Sequence, residues 1–306
     1  MSKFIKITII FIFIDFTQKT SKDIIIKRII MSKIIWISSF PKSGNTWMRF
    51  LIANYFFNPK RLDDPTVIKN IIRFRTEDNI MNLAKNKKIT ISDVAKYWTS
   101  VQDSIKVESG SYCFLKNHNA NVAINGHNFT NENLTKAVIY IVRDPRDVTI
   151  SASKYYNKDI DETISQIILN DKFISKRNDS ADIEYVGSWK INYLSWRFGL
   201  PNIPKIIIKY EDLLQDTYTT FKKVLNFLRA ISNFDISEKQ LLFSIQNSSF
   251  EKLQTFENKN QFSENQSKYK FFRSGKKNQW KSKLTKDHLK VIEKNLYKEM
   301  RFFNYN

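Results

Sequence analysis

The sequence predicts a single α/β domain with a central parallel β-sheet flanked by helices. Short apolar runs, typical of strands buried on both faces, alternate with longer segments whose apolar residues recur every three to four positions. The first of these strands passes into a helix through a short loop that contains Pro41, Lys42 and Gly44. A strand, a glycine-containing loop and a helix in this order are typical of phosphate-binding α/β folds.

The composition limits the class of protein. The chain has 306 residues, enough for one large α/β domain, and no shift in composition within its body marks a second one. Its formal net charge of +20 implies anionic partners, such as a nucleotide, a polyanionic acceptor, nucleic acid or a membrane surface. Cys113 is the only cysteine, which excludes an internal disulfide and fits a reducing cytoplasm.

Residues 1–30 stand apart from the predicted domain. Their apolar run at residues 7–14 is far shorter than the ~20 residues of a membrane helix, and no signal-peptide cleavage site follows it. A second Met-Ser-Lys begins at Met31, directly before the first strand. We therefore predict a non-native or disordered extension at residues 1–30, a domain at residues 31–306 and no stable membrane insertion. A short membrane-associating segment is the alternative.

The first strand and helix frame an anion site. The strand is predicted at residues 34–37, and the helix is predicted to begin near Asn45, with Trp47 and Phe50 on its apolar face. The start of such a helix presents free N–H groups and a positive dipole end, to which Lys42 adds a full charge. The alternative is an ordinary strand-to-helix turn with an exposed lysine.

A second predicted strand, at residues 111–116, leads directly into Asn117 and His118. A histidine just past the carboxyl end of a buried strand lies where ligands bind in open α/β sheets. The other two histidines lack this position: His127 has no such context, and His288 is expected to face solvent on a C-terminal amphipathic helix. His118 is therefore the histidine with a predicted catalytic position.

The clearest buried strand is predicted at residues 136–142 and ends at Arg143. Asp144 is expected to cap the helix that follows, and Pro145 suits its first turn. Arg143 and Ser151 can meet at one phosphate if this helix points across the strand ends. A surface cluster of salt bridges among the charged residues of this segment is the alternative.

The remaining chain continues the alternation of strands and helices. A fourth strand is predicted at residues 204–210, and a stripe with Trp189 and Trp196 is expected to lie in the core. Helices are predicted over residues 161–176 and 184–198, from about residue 216, from about residue 248 and after a cap at Thr285.

Several segments resemble one enzyme family. Residues 41–47, P-K-S-G-N-T-W, resemble the 5′-phosphosulfate loop of sulfotransferases that use 3′-phosphoadenosine 5′-phosphosulfate (PAPS). Residues 116–118 resemble that family's K-T-H, and residues 140–151 resemble its 3′-phosphate segment. Residues 271–281 resemble its R-K-G-x-x-G-x-W-K pattern, although Ser274 and Asn278 depart from it. Ser274 removes one cation of the pattern, for which Lys276 or Lys277 is the expected substitute.

The resemblance implies a fold like that of the P-loop nucleotide hydrolases and transfer of a sulfuryl group from PAPS, without a metal, to an acceptor hydroxyl or amine. It implies that His118 is the general base, with a near-neutral pKa, and that Lys42 and Lys116 stabilise charge during transfer. The remaining implied cofactor residues are the loop residues Ser43, Gly44, Asn45 and Thr46, the adenine-lining Trp47, Tyr210 and Phe250, and the 3′-phosphate residues Arg143, Ser151, Arg273, Ser274 and Gly275.

The expected partner is a hydroxyl-bearing small molecule, lipid or carbohydrate, and the resemblance leaves a homodimer open. Two other classes of protein are alternatives to this interpretation. A P-loop kinase would share the first strand, loop and helix, but it needs a longer glycine-rich loop and a metal-binding aspartate after a strand. A basic nucleic-acid-binding protein would explain the charge of +20, but the sequence contains no recognised binding module, so we expect no specific nucleic acid.

Overall fold

The computed structural model describes residues 34–76, 88–107, 111–176, 182–260 and 269–305, so the predicted extension at residues 1–30 lies outside the described residues. Its strands are β1 (Ile34–Ser39), β2 (Cys113–Asn117), β3 (Ala123–Ile124), β4 (His127–Asn128), β5 (Thr135–Val142), β6 (Ile174–Lys176), β7 (Ile183–Tyr185) and β8 (Lys205–Lys209). Its α-helices are α1 (Asn45–Phe56), α2 (Ile91–Ala95), α3 (Trp98–Ser104), α4 (Pro145–Tyr156), α5 (Ile160–Thr163), α6 (Trp189–Phe198), α7 (Tyr210–Gln215), α8 (Thr217–Ser232), α9 (Glu238–Asn247), α10 (Phe250–Asn260) and α11 (Lys286–Phe302). Turns of 3₁₀-helix lie at Pro65–Asn70 and Gln279–Ser282, and a π-helical turn at Ile164–Ile168 follows α5.

The central sheet of the described chain has the strand order β2-β1-β5-β8, and each of its pairings is parallel. Helices α4, α6 and α11 pack on one face, where Trp189 and Trp196 are each 1% exposed. Helices α1, α8 and α9 pack on the other face. The predicted parallel α/β architecture and the tryptophan core stripe are therefore confirmed.

The parallel sheet determines where the loops meet. Because all four strands run in the same direction, their carboxyl ends lie at one edge of the sheet. The loop after β1, the turn after β2, the start of α4 after β5 and the start of α7 after β8 all leave from this edge. Short apolar strands thus bring together loops from four distant parts of the chain.

Two helical assignments made from the sequence are wrong. Residues 161–176 are helical only as far as Ile168, and the segment then turns and forms β6. Residues 184–198 begin in β7, and α6 starts only at Trp189. Strands β6 and β7 pair with each other in an antiparallel hairpin, so a tertiary contact overrides the local helical period.

His288 was expected to face solvent, and this prediction is wrong. It is half-buried, with Nε2 3.1 Å from Oδ1 of Asp161, and its Nδ1 accepts the backbone N–H of Thr285. The Thr285 hydroxyl in turn accepts the His288 N–H and forms the predicted cap of α11. His288 therefore has a structural role at the start of the last helix.

No helix in the described ranges has both the length and the apolar character that are needed to cross a bilayer.

Candidate active site

One cleft lies at the carboxyl edge of the sheet, and the structure brings all the predicted site residues except Ser43 to its wall. The Ser43 side chain is fully buried next to the cleft. The predicted residues that line the cleft are Lys42, Gly44, Asn45, Thr46, Trp47, Lys116, His118, Arg143, Ser151, Tyr210, Phe250, Arg273, Ser274 and Gly275.

The loop between β1 and α1 is shaped by Gly44. Its φ of +100° lies in the left-handed region, and a Cβ atom there would lie 2.5 Å from the Tyr210 ring. Helix α1 begins at Asn45, as predicted, and within the described chain no side chain caps its start. The side-chain amide of Asn45 donates to the Ile37 carbonyl at 2.8 Å and ties the helix start to β1. The first N–H groups of α1 therefore remain available to an anion.

Lys42 lies between two aromatic rings. Its Nζ is 4.3 Å from the centroid of the Tyr155 ring and 4.0 Å from that of Phe271. Burial, followed by the nearby charges of Lys116 and Arg143, lowers the pKa of Lys42 to about 7. Tyr155 and Phe271 were not predicted as site residues, although each belongs to an aromatic doublet in or beside a predicted site segment.

His118 is held in one tautomer by β1. Its Nδ1 lies 2.8 Å from the Ser39 carbonyl oxygen. Because a carbonyl oxygen only accepts, Nδ1 carries the proton and Nε2 carries the lone pair in the neutral ring. Burial and, next, the charge of Lys116 lower the pKa of His118 to about 3, although Glu184 opposes this shift. The expected near-neutral pKa is therefore wrong, because the ring is desolvated beside a cation.

Two charged residues next to His118, Glu184 and Arg73, were not predicted from the sequence. Oε1 of Glu184 accepts the His118 backbone N–H at 3.2 Å, and Oε2 lies 2.8 Å from a guanidinium nitrogen of Arg73. Arg73 also forms an ion pair with Asp182. Glu184 is in β7 and Arg73 pairs with β2. These contacts therefore depend on the β6-β7 hairpin, whose strands were predicted as parts of two helices.

Arg143 connects two loops of the cleft. Its guanidinium donates to the carbonyls of Lys42 and Lys276, each at 3.2 Å, and stacks 4.4 Å from the centroid of the Tyr210 ring. Its Nε is buried without a hydrogen-bond partner among the described residues. The charged residues from Arg143 to Asp147 are all buried, so the surface salt-bridge alternative is wrong.

The loop that follows Arg273 is fastened to α4. Asp147 accepts the backbone N–H groups of Asn278 at 2.7 Å and of Trp280 at 3.1 Å. The backbone of Asn278 is left-handed, with a φ of +62°. Asparagine tolerates this conformation better than most residues, so its replacement of a family glycine is compatible with the turn.

The expected substitutes for the missing cation lie outside the cleft. Lys276 and Lys277 are exposed, and Nζ of Lys277 donates to the Gln215 side chain. Lys154 lines the cleft instead, three residues after Ser151 on α4. The charge of Arg273 is the main cause of a lowered pKa of Lys154, which indicates that the two cations are close together.

Aromatic residues from three elements line another part of the cleft. Trp47 on α1 donates from Nε1 to the Ser248 carbonyl at 2.9 Å, and its ring centroid lies 5.9 Å from that of Tyr210. Phe250 at the start of α10 is so close to Gly275 that a Cβ there would lie 2.7 Å from its ring. Three aromatic side chains, Trp47, Tyr210 and Phe250, thus line the cleft.

The described residues contain no group of three or more histidine, cysteine, aspartate or glutamate side chains arranged to hold a metal ion.

Fold and cleft together define an α/β protein with a cleft lined by several cations at the carboxyl edge of a parallel sheet. The family profile described as "Sulfotransferase domain" matches residues 32–303, and the chain therefore belongs to the sulfotransferase family. A cytosolic sulfotransferase 14 of Arabidopsis thaliana is 33% identical over 98 residues, which are 32% of this chain but only 28% of that protein. An amine sulfotransferase of Oryctolagus cuniculus is 21% identical over 281 residues, which cover 88% of this chain and 81% of that protein.

Solved structures share the fold. Mouse sulfotransferase SULT7A1, crystallised with PAP, has a TM-score of 0.53 and 18% identity over 88% of this chain and 84% of its own. Retinol dehydratase, crystallised with androsterone and PAP, has a TM-score of 0.51 and 16% identity over 87% of this chain and 80% of its own. At these identities the structural likeness shows the fold alone. The ligands of this chain must be inferred from the residues of its own cleft.

Proposed function

We propose that this protein transfers the sulfuryl group of PAPS to the hydroxyl group of an acceptor. The observation that carries the proposal is the convergence of Lys42, Lys116 and a neutral His118 with the uncapped start of α1 in one cleft. This arrangement offers cations to a sulfuryl group and a lone pair to a hydroxyl proton. The crystallisation of two structural relatives with PAP supports PAPS as the donor.

The cleft fits the chemistry of a 3′-phosphorylated nucleotide. Arg143 has a buried guanidinium nitrogen that lacks a partner in the described chain, and Arg273 and Lys154 add two more cations. Guanidinium groups suit phosphate oxygens because their N–H donors match the spacing of those oxygens. We assign Arg143, Ser151, Lys154, Arg273 and the loop of Ser274 and Gly275 to the 3′-phosphate. Trp47, Tyr210 and Phe250 are assigned to the adenine.

The chemical step needs charge stabilisation and one proton acceptor. Sulfuryl transfer, like phosphoryl transfer, is an in-line displacement in which positioning and electrostatics supply most of the rate. Lys42 and the first N–H groups of α1 hold the 5′ end of the donor, and Lys116 adds charge beside His118. His118 accepts the acceptor proton at Nε2, because Nδ1 is occupied by the Ser39 carbonyl. The buried position of His118 keeps it neutral, and so able to accept, throughout the neutral pH range.

Two competing classes fit the cleft less well. A P-loop kinase needs a free aspartate after a strand to hold magnesium, and Asp144, which follows β5, is engaged by Arg146 at 2.8 Å. A nucleic-acid-binding protein would carry its cations on an open surface, whereas Lys116 and Arg143 are buried in a cleft. Calorimetry with PAP, ATP and an oligonucleotide separates the three classes. Tight binding of ATP or the oligonucleotide without binding of PAP would contradict the proposal.

Replacement of His118 tests the general base directly. His118→Ala is expected to lower turnover by roughly 10²- to 10⁴-fold, the usual range for a lost acid or base group, and to leave the dissociation constant of PAP nearly unchanged. The matched control is His127→Ala, because His127 lies exposed in the β3-β4 hairpin. Turnover would be followed as transfer of labelled sulfate from PAPS to a panel of hydroxyl compounds. Equal turnover in the two variants would remove His118 from the mechanism.

A further inference from the structure

A buried carboxylate lies beside the proposed general base. Glu184 is 5% exposed, lines the same cleft as His118 and accepts the His118 backbone N–H at 3.2 Å. Burial alone would favour its protonated form, but the charges of Arg73, His118 and Lys116 lower the pKa of Glu184 to about 2. Glu184 is therefore an anion at neutral pH.

Apart from Glu184, most of the surroundings of His118 disfavour protonation of its ring. Burial disfavours a charged ring, and the nearby cations Lys116 and Arg73 disfavour it further. Two groups act in the other direction: the carboxylate of Glu184 and the Ser39 carbonyl that accepts from Nδ1. The Ser39 carbonyl fixes the tautomer of His118. Among the groups that favour a protonated ring, the Glu184 carboxylate is the one with a formal negative charge. A general base in this position needs such a counter-charge at the moment when it becomes an imidazolium.

We infer that Glu184 is a positioning residue for sulfuryl transfer, and that its carboxylate stabilises the imidazolium which forms at His118. The inference rests on the proposed function of His118. In the step itself, the acceptor oxygen forms its bond to sulfur as the bond from sulfur to the 5′-phosphate oxygen breaks. The bonding electron pair leaves with that phosphate oxygen, and the acceptor proton passes to Nε2 of His118. Glu184 stays ionised and takes up no proton.

The network around Glu184 also supplies a matched control. Arg73 pairs with two carboxylates, those of Glu184 and Asp182, and both are buried. Glu184 lines the cleft and contacts His118, whereas Asp182 lies outside the cleft wall and pairs with the other guanidinium nitrogen. Glu184→Gln and Asp182→Asn each remove one charge from the same ion-pair cluster. A purely structural role predicts similar effects for the two changes.

The test compares the two variants with acceptors of graded acidity. With weakly acidic phenols, Glu184→Gln is expected to lower kcat by roughly 10- to 100-fold, because a nearby opposite charge shifts a pKa by about one to three units. The loss should shrink toward none with nitrophenols that are already ionised, since these acceptors have no proton to transfer. The dissociation constant of PAP should not change, and Asp182→Asn should retain kcat across the series. A uniform loss across the phenols, or an equal loss in Asp182→Asn, would overturn the inference.

A second measurement does not depend on turnover. Diethyl pyrocarbonate acylates neutral imidazole, and peptide mass spectrometry can follow each of the three histidines separately. Glu184→Gln is expected to slow acylation of His118 several-fold relative to the wild type, because a less basic nitrogen is a weaker nucleophile. The rates at His127 and His288 serve as internal references. An unchanged His118 rate in Glu184→Gln would overturn the inference, and it would leave the proposed sulfuryl transfer to be judged by PAP binding and His118→Ala.

Discussion

The electrostatic surroundings of Lys42 differ between the free protein and the proposed complex. In the free protein it lies between two rings and near three other cations, and its pKa is lowered to about 7. In the free protein the charge of Glu257 offsets these cations only in part, and a bound phosphosulfate would add further counter-charge. The protonated fraction of Lys42 in the free protein falls as the pH rises through 7, so we expect the affinity for PAP to fall in the same range.

This difference predicts proton uptake when PAP binds. At pH 8 most free molecules carry a neutral Lys42, and the anionic ligand should raise its pKa and protonate it. Calorimetry at pH 8 in buffers that differ in ionisation enthalpy measures the number of protons taken up. The wild type should take up more protons than Lys42→Ala, which should also bind PAP more weakly. Equal proton counts in the two proteins would show that a different group titrates.

Residues that line the cleft could be predicted when they lie in a short motif. Lys42, His118 and Arg143 each lie within three residues of the end of a buried strand, so the local sequence pattern was sufficient to find them. Glu184 could not be found in this way, because its contact with His118 spans 66 residues of sequence. The low pKa of His118 was missed for the same reason, since burial and charged neighbours are properties of the folded chain.

At the scale of elements, α4 and the loop after Arg273 form the proposed 3′-phosphate site. Lys154 and Arg273 are expected to discriminate PAP from adenosine 5′-monophosphate, which lacks the 3′-phosphate. Each variant, Lys154→Ala or Arg273→Ala, should lose about 1.5–3 kcal/mol of binding to PAP, the value of a charge-assisted hydrogen bond, and little binding to the monophosphate. Arg143→Ala should also lose PAP binding, but it removes two loop contacts as well.

Lys158→Ala is the matched control for Lys154→Ala. Lys158 lies one turn further along the chain and pairs at the surface with Glu162 at 3.7 Å. Its replacement should leave the affinities for both nucleotides unchanged. Equal losses of the two nucleotides in Lys154→Ala or Arg273→Ala would mean that these cations support the loop and do not contact the 3′-phosphate.

The tight approach of Gly44 to Tyr210 predicts a large effect of a single methyl group. Gly44→Ala adds both the strain of a left-handed alanine, about 1–2 kcal/mol, and a Cβ atom 2.5 Å from the Tyr210 ring. Gly126→Ala is the matched control, because its φ is +81° and, within the described chain, no atom other than those of its chain neighbours lies within 4 Å of the new Cβ. Urea unfolding should show a larger loss for Gly44→Ala, together with weaker PAP binding. Equal losses would mean that the Tyr210 ring moves aside without cost.

Secondary structure was predictable where local signals act alone. The start of α1, the Asp144 cap with Pro145 at the start of α4, and the Thr285 cap of α11 lie where the sequence placed them. The hairpin of β6 and β7 was missed, because it is stabilised by pairing between two short segments that carry no strand period of their own. Strand pairing of this kind, unlike a helix cap, leaves no signal within one segment.

At the scale of the whole molecule, the net charge of +20 and the cations of the cleft have different effects on ligand binding. Charge spread over a surface attracts any polyanion and is screened by salt. The cations of the cleft, in contrast, include Lys116 at 3% and Arg143 at 7% exposure, and they share the site with aromatic walls. A ligand that fits the cleft should therefore stabilise the fold more specifically than a ligand that only matches the net charge.

Thermal unfolding with different anions tests this distinction. PAP at one hundred times its dissociation constant adds about 2.7 kcal/mol of stability, which corresponds to a rise in Tm of roughly 4–5 °C for a domain of this size. An oligonucleotide of equal phosphate concentration should raise Tm less, and its effect should disappear at high salt because exposed charges are screened over distances beyond about 10 Å at 0.1 M salt. The effect of PAP should persist in part, since its partners are buried. A larger and more salt-resistant shift with the oligonucleotide would contradict the proposal that the cleft binds PAPS.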